Sequence, residues 1–381
     1  MIIQSKRVWL LNAFVEAQIE IEGSKIINIF EYGKKNVDVD YGDKRIVPGF
    51  IDIHTHGYAG FDTNDGNEEG LRYWLKNIPS EGVTGICPTT ITQSKEVLKG
   101  ALKNVLNVSK SDYEGAEILG VHFEGPYLDQ KHKGAQPEQY CVSPSVNEFK
   151  EYQETAGGLI KVITMACEHD DNFELTKYCA ANGVLVSQGH SGATYKEAEM
   201  AIFNGAMSMT HVFNGMTGFH HREPGLVGAA MRFRNIFGEI ICDCHHVDKD
   251  ALNNYFTCKG KDFGIMISDA VLAKNCPVGT KLVFGGNDIE VKEDNCAYLL
   301  GTNTLAGSTL RINEGLRNLV EKAMLPFEYA INACTINPAR ALRIDDHKGK
   351  LVSEYDADIV ILNDDYSVEE TYTKGKPNLN K

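Results

Sequence analysis

The stretch Pro48-Gly49-Phe50-Ile51-Asp52-Ile53-His54-Thr55-His56-Gly57 carries an apolar run into two histidines one residue apart. Residues two apart in a strand share a face, so His54 and His56 can aim at one point, as two ligands of one cation would. Ordinary strand-end histidines can show the same spacing, because histidine serves both as ligand and as satisfied polar residue. The rest of the chain decides between the two.

Outward from this stretch, short apolar runs alternate with helical ones, the pattern of parallel strands joined by crossover helices. Eight runs fit: Ile46 to His54, Val83 to Thr89, Ile118 to Glu124, Ile160 to Cys167, Val184 to His190, Met207 to Val212, Ile236 to Cys242, and Phe263 to Asp269. Eight is the number a closed (β/α)8 barrel of the TIM type requires. Helices are expected at Glu68 to Ile78, Lys95 to Val108, Asn172 to Ala181, Tyr195 to Asn204, Lys249 to Phe256, Arg311 to Ala323 and Pro326 to Cys334. The polar residues fall at the carboxyl ends of the strands: His54 and His56 on the first, Glu124 on the third, His190 on the fifth, His211 on the sixth and Asp269 on the eighth. In such a barrel those ends form one face, so residues far apart in sequence converge on one mouth.

Both ends of the chain read differently. Val8 to Leu11, Val15 to Ile21 and Lys25 to Phe30 read as strands, as do Asp358 to Leu362 and Glu369 to Tyr372. The expected organisation is therefore α/β: a barrel over residues 48–345 and a small β-sandwich domain formed by residues 1–47 and 346–381.

With 381 residues, 43% of them hydrophobic and 24% charged, the chain has ample core. A formal net charge of -14 argues against a nucleic-acid or acidic-membrane surface, but leaves room for an anionic small molecule held by a local arginine. No run has membrane-spanning length, and Met1 to Leu11 lacks the apolar core and cleavage site of a signal peptide, so a cytoplasmic protein is expected. The ten cysteines are scattered and read as reduced, buried thiols, including Cys242 and Cys244, which have no second pair nearby to complete a metal site.

Neutral imidazoles with a carboxylate suit zinc or iron(II). Glu124, His190 and His211 would make a three-ligand site with an open position, and His54 and His56 could hold a second ion bridged by Glu124. Metal-assisted hydrolysis of an amide or ester is the reaction class this implies. Asp269 fits a base that takes a proton from water and passes it to a leaving amine, a helix-capping aspartate being its alternative. His122 reads as a satisfied core histidine, and His132, His169 and His347 as surface residues.

Taken together, the opening stretch, His122-Phe123-Glu124-Gly125-Pro126, Gly189-His190-Ser191, Thr210-His211-Val212-Phe213-Asn214-Gly215-Met216, Arg222-Glu223-Pro224-Gly225, Asp243-Cys244-His245-His246-Val247-Asp248, Ser268-Asp269-Ala270 and Leu305-Ala306-Gly307-Ser308 resemble the N-acetylglucosamine-6-phosphate deacetylase family of the amidohydrolase superfamily over nearly the whole chain. The resemblance implies hydrolysis of N-acetylglucosamine 6-phosphate to glucosamine 6-phosphate and acetate, in amino-sugar catabolism or cell-wall recycling. By position it implies Glu124, His190 and His211 as metal ligands and Asp269 as acid/base. It likewise implies Ala135, Gln136, Asn214, Gly215, Arg222, His246, Leu305, Ala306 and Gly307 as sugar-phosphate contacts, in a homodimer whose neighbouring subunit helps bind phosphate. Gly215 departs from the alanine of many relatives. Some relatives have lost the HxH pair and use one metal; both histidines are present here, so two divalent sites, zinc or iron, are expected. An N-acetylgalactosamine 6-phosphate deacetylase or a cyclic amidase on the same barrel is the nearest rival, although a cyclic amidase usually has a carboxylated lysine where Glu124 stands.

Overall fold

The computed structural model describes residues 1–378. All eight expected barrel strands form: Phe50–Thr55, Val83–Thr90, Val121–Glu124, Ile160–Met165, Leu185–Gln188, Ala206–Met209, Gly238–Ile241 and Gly264–Ile267. The first six pair in parallel in that order, and the last two pair with each other. Two seams complete the ring. Between the sixth and seventh strands, the Phe237 N–H donates to the Met207 carbonyl at 2.9 Å and the Val212 N–H to the Glu239 carbonyl at 2.8 Å. Between the eighth and first, the Asp269 N–H donates to the His54 carbonyl at 2.9 Å and the His56 N–H to the Ala270 carbonyl at 2.7 Å. Asp52 pins this second seam, its buried carboxylate accepting from the Ser268 N–H at 3.2 Å and the Ser268 hydroxyl at 2.5 Å.

Strands covered on both faces need apolar side chains throughout, and Val83–Thr90 is buried at every position. The helices that cover them follow the expected pattern at Glu68–Asn77, Lys95–Ser109, Tyr195–Phe203, Lys249–Lys259 and Phe327–Cys334. Two boundaries differ. Asn172 and Phe173 take left-handed φ values of 53° and 56°, so that helix starts only at Glu174. The helix expected from Arg311 runs as Ile312–Arg317 and then widens to a π-helix over Asn318–Lys322. Helices Val146–Thr155, Gly225–Arg232 and Ile336–Ala341 were not expected; the second follows Pro224-Gly225, a pair that reads as a turn. A three-stranded antiparallel sheet, Lys281–Phe284, Asn287–Val291 and Ala297–Leu299, is also inserted after the eighth strand.

The terminal segments form a separate eight-stranded sheet, in which Arg45–Pro48 pairs in parallel with Ile2–Leu10 and antiparallel with Ile359–Leu362. This sheet curls until Lys25 bridges Asp356, enclosing a core that includes Ile3, Ile19, Ile26, Ile46, Ile359 and Ile361. Arg45–Pro48 leads directly into Phe50–Thr55, so the sheet holds the first barrel strand by its amino end. Buried Lys348 joins sheet to barrel, its Nζ lying 2.8 Å from Glu117, 2.8 Å from Asp356 and 2.7 Å from Asp358.

Candidate active site

The mouth of the barrel brings six predicted residues to one point. Glu124 Oε1 lies 3.2 Å from His190 Nε2, 3.3 Å from His211 Nε2 and 3.4 Å from His54 Nε2, while Oε2 lies 3.5 Å from His56 Nε2. Asp269 Oδ1 is 3.1 Å from His56 Nε2 and 3.5 Å from His54 Nε2. His190, His211 and Asp269 sit just past their strands with positive φ. That turn ends the strand and points each side chain across the mouth.

The opposite nitrogen of every imidazole is held by an acceptor. His190 Nδ1 donates to the His132 carbonyl at 2.8 Å, His211 Nδ1 to the Asn214 carbonyl at 3.0 Å and His56 Nδ1 to the Thr89 carbonyl at 3.2 Å. His54 Nδ1 donates instead to a carboxylate, Glu239 Oε2, at 2.8 Å. With each Nδ1 committed, every Nε2 turns its lone pair into the same small space, and those of His190 and His211 stand 3.1 Å apart. Such an arrangement repels unless positive charge stands among the lone pairs. His54 Nε2 and Glu124 Oε1, both buried, make no hydrogen bond. The donor set of imidazole nitrogens and carboxylates therefore fits a divalent cation, and two groups, Glu124–His190–His211 and His54–His56–Asp269, each have their ligand atoms within 4.8 Å of one another.

Electrostatics agree with this arrangement. Burial would raise the Glu124 carboxyl, but His190 and His54 outweigh it and hold the group well below the usual range. Asp269 is likewise pushed up by burial and drawn down more strongly by His54 and His56, to about 2, so it is ionised at neutral pH. A divalent ion among these groups would supply the positive charge that the two carboxylates face.

The other predicted residues divide into those joined to this cluster and those apart from it. Buried Gln136 donates to Glu124 Oε2 at 2.6 Å and accepts from the Thr92 N–H at 2.6 Å, so its side chain supports a proposed ligand. The Ala135 carbonyl accepts from Asn287 in the inserted sheet at 3.0 Å. Asn214 presents a buried side-chain amide nitrogen with no partner, and the Gly215 carbonyl accepts from the Ser191 N–H. His246 Nδ1 is 2.6 Å from Asp243 Oδ2; burial lowers the imidazole and the Asp243 carboxylate outweighs it, leaving it raised. Leu305, Ala306 and Gly307 run into Ser308, whose N–H donates to the Asp269 carbonyl at 2.9 Å. Arg222 lies apart from the cluster in the exposed turn between His220 and Glu223.

His122 is a core histidine, both ring nitrogens being taken by the Ile53 carbonyl and the Thr164 hydroxyl. His132 is more than the surface residue expected, since its carbonyl orients His190 and its ring is fixed by Asp129 at 2.6 Å. Glu239 and Asp243 were missed as partners of the site. The signal for Glu239 was a lone acid inside the apolar run Phe237-Gly238-Glu239-Ile240-Ile241, in a strand with no solvated face.

A (β/α)8 barrel with histidines and carboxylates converging at its carboxyl mouth defines a class of metal-dependent hydrolases. Residues 45–378 match the Amidohydrolase family, and the chain belongs to it; members of that family generally depend on divalent metal. Within it, the chain is similar to the N-acetylglucosamine-6-phosphate deacetylase of Bacillus subtilis (strain 168), 38% identical over 336 residues that cover 87% of this chain and 84% of the relative. The human N-acetylglucosamine-6-phosphate deacetylase is 33% identical, with 88% and 84% covered. Among solved structures, an alanine variant of the Mycobacterium smegmatis deacetylase in complex with N-acetyl-D-glucosamine-6-phosphate superposes with a TM-score of 0.94 at 25% identity, covering 100% of this chain and 99% of that one. The Pasteurella multocida deacetylase gives 0.92 at 27%, with both chains fully covered (100%). No helix among the described residues is long and apolar enough to cross a membrane.

Proposed function

We propose that this hydrolase removes the acetyl group of N-acetylglucosamine 6-phosphate, giving glucosamine 6-phosphate and acetate. The carrying observation is the convergence of four imidazole Nε2 atoms and two carboxylates on one point, in a chain whose relatives are deacetylases of this substrate. Glu124, His190 and His211 would hold one divalent ion, zinc or iron, and His54 and His56 would hold a second. Such ions lower the pKa of water toward neutral and polarise the acetamide carbonyl.

The chain's own groups do the rest. Asp269, ionised and at the edge of the cluster, takes a proton from the attacking water; as the amide C–N bond breaks, it delivers that proton to the nitrogen. His246, held by Asp243 through Nδ1, donates from Nε2 to the acetamide oxygen as negative charge develops there. Asn214 has a free amide donor for the sugar, and Arg222 suits a phosphate through paired charged hydrogen bonds. The working assembly is a homodimer. The distinct apolar core of Ile3, Ile19, Ile26, Ile46, Ile359 and Ile361 supports a division into a barrel of residues 48–345 and a terminal domain of 1–47 and 346–381, whose last three residues lie outside the described ones.

The test is acetate release from N-acetylglucosamine 6-phosphate, its galacto epimer and unphosphorylated N-acetylglucosamine. The gluco phosphate should be turned over fastest. Turnover that ignores the phosphate removes the role given to Arg222, and preference for the epimer overturns the substrate assignment.

A further inference from the structure

Three of the four clustered imidazoles rest their Nδ1 on a neutral backbone carbonyl; His54 alone rests on a carboxylate. That carboxylate, Glu239, is fully buried at 0% exposure in the middle of an apolar barrel strand, and its Oε1 has no hydrogen-bond partner. Burial raises the Glu239 carboxyl and the hydrogen bond from His54 draws it back down, so this carboxylate depends on His54 for its charge. Among the described residues, no Lys or Arg forms an ion pair with it. The neighbouring His122 cannot share a cation with it either, since both of its ring nitrogens are bonded to Ile53 and Thr164. Among the described residues, the one side chain hydrogen-bonded to Glu239 is His54, whose Nε2 faces Glu124 and Asp269.

We infer that Glu239 is the positioning residue that fixes His54 as a metal-binding imidazole, so that the centre takes two ions rather than one. This rests on the two-metal reading proposed above. By accepting from Nδ1, Glu239 locks the tautomer that frees Nε2, and its negative charge makes that nitrogen a stronger donor than imidazoles resting on neutral carbonyls. Its hydrogen bond is to His54 and not to Glu124, His190 or His211, so its loss should weaken chiefly the half of the centre made by His54 and His56.

The experiment is zinc stoichiometry and affinity, measured by chelator competition, for the full chain, for Glu239→Gln and for Glu239→Leu. The wild type should bind two ions. Glu239→Gln, which keeps an acceptor for Nδ1 and loses the charge, should hold one ion normally and the other roughly 10–100-fold more weakly. Glu239→Leu should retain one ion, while its metal-free unfolding transition stays cooperative. If the leucine variant does not fold, the glutamine variant decides. Two ions held with wild-type affinity in the variants, or both ions weakened in parallel, overturns the inference. One ion in the wild type overturns it together with the two-metal reading. A fully loaded wild type that binds two ions and releases no acetate overturns only the substrate assignment.

Discussion

His190, His211 and Asp269 leave their strands with φ values of 47°, 29° and 48°, a backbone region that costs a residue with a side chain about 1–3 kcal/mol. The fold tolerates this because each strained residue is tied on both sides, Asp269 by His54 and Ser308, and His190 by Asp129 and His132. Strain at these positions buys direction: the side chains face each other rather than the helices outside. Asp269→Asn keeps the shape and removes the base, so it should retain metal while turnover falls by about two to four orders of magnitude. Acetate release measured beside metal content checks this, and undiminished turnover removes Asp269 from the mechanism. At this scale most residues of the cluster were legible, because histidine and glutamate at strand ends are conspicuous in an apolar chain. Their orienting partners were not. The groups that hold His190, His211 and His56 are backbone carbonyls of His132, Asn214 and Thr89, which no side-chain pattern announces.

The helix Lys249–Lys259 ends in a lysine whose charge is turned inward. Lys259 Nζ donates to the carbonyls of Ala230 at 2.9 Å and Phe233 at 2.8 Å, at the carboxyl end of the neighbouring helix Gly225–Arg232. Burial lowers its pKa from 10.5 to about 7. Because the folded value lies below the unfolded one, the unfolded chain binds more protons between about pH 7 and 10.5, and stability rises with pH across that window. The rise should approach about 1 kcal/mol per pH unit and be absent in Lys259→Met, as read from urea midpoints of the two proteins at several pH values. Equal pH dependence in both would show that Lys259 titrates normally. The helix Gly225–Arg232 was missed because its local signals conflict. Pro224-Gly225 marks a turn, yet the backbone continues as helix. The inserted sheet did carry a legible sign, Gly285-Gly286 between alternating residues, with φ values of 58° and 83° that suit a two-residue hairpin turn.

Across the whole molecule, a buried cluster of like charges lies where the two sheets meet. Glu117 leads into the third barrel strand, whereas Asp356 and Asp358 precede Ile359–Leu362, and all three face Lys348. Lys348→Met leaves those carboxylates with only Lys25 and Lys374 nearby, and should cost about 3–5 kcal/mol in a denaturant titration. A loss below about 1 kcal/mol would mean that the outer lysines suffice. The barrel was legible because eight apolar runs and their polar ends repeat one grammar; the joint between sheet and barrel was not, since its parts are far apart in sequence. Lys374 of the sheet and Glu117 of the barrel, 2.7 Å apart, are separated by 257 residues. The Arg45–Pro48 strand that anchors the first barrel strand is in the same position: during synthesis it must wait, with one edge unpaired, until Ile359–Leu362 has left the ribosome. The barrel's opening strand is thus secured by residues made long after it, so the anchoring of the mouth's first wall waits on a segment far along the chain.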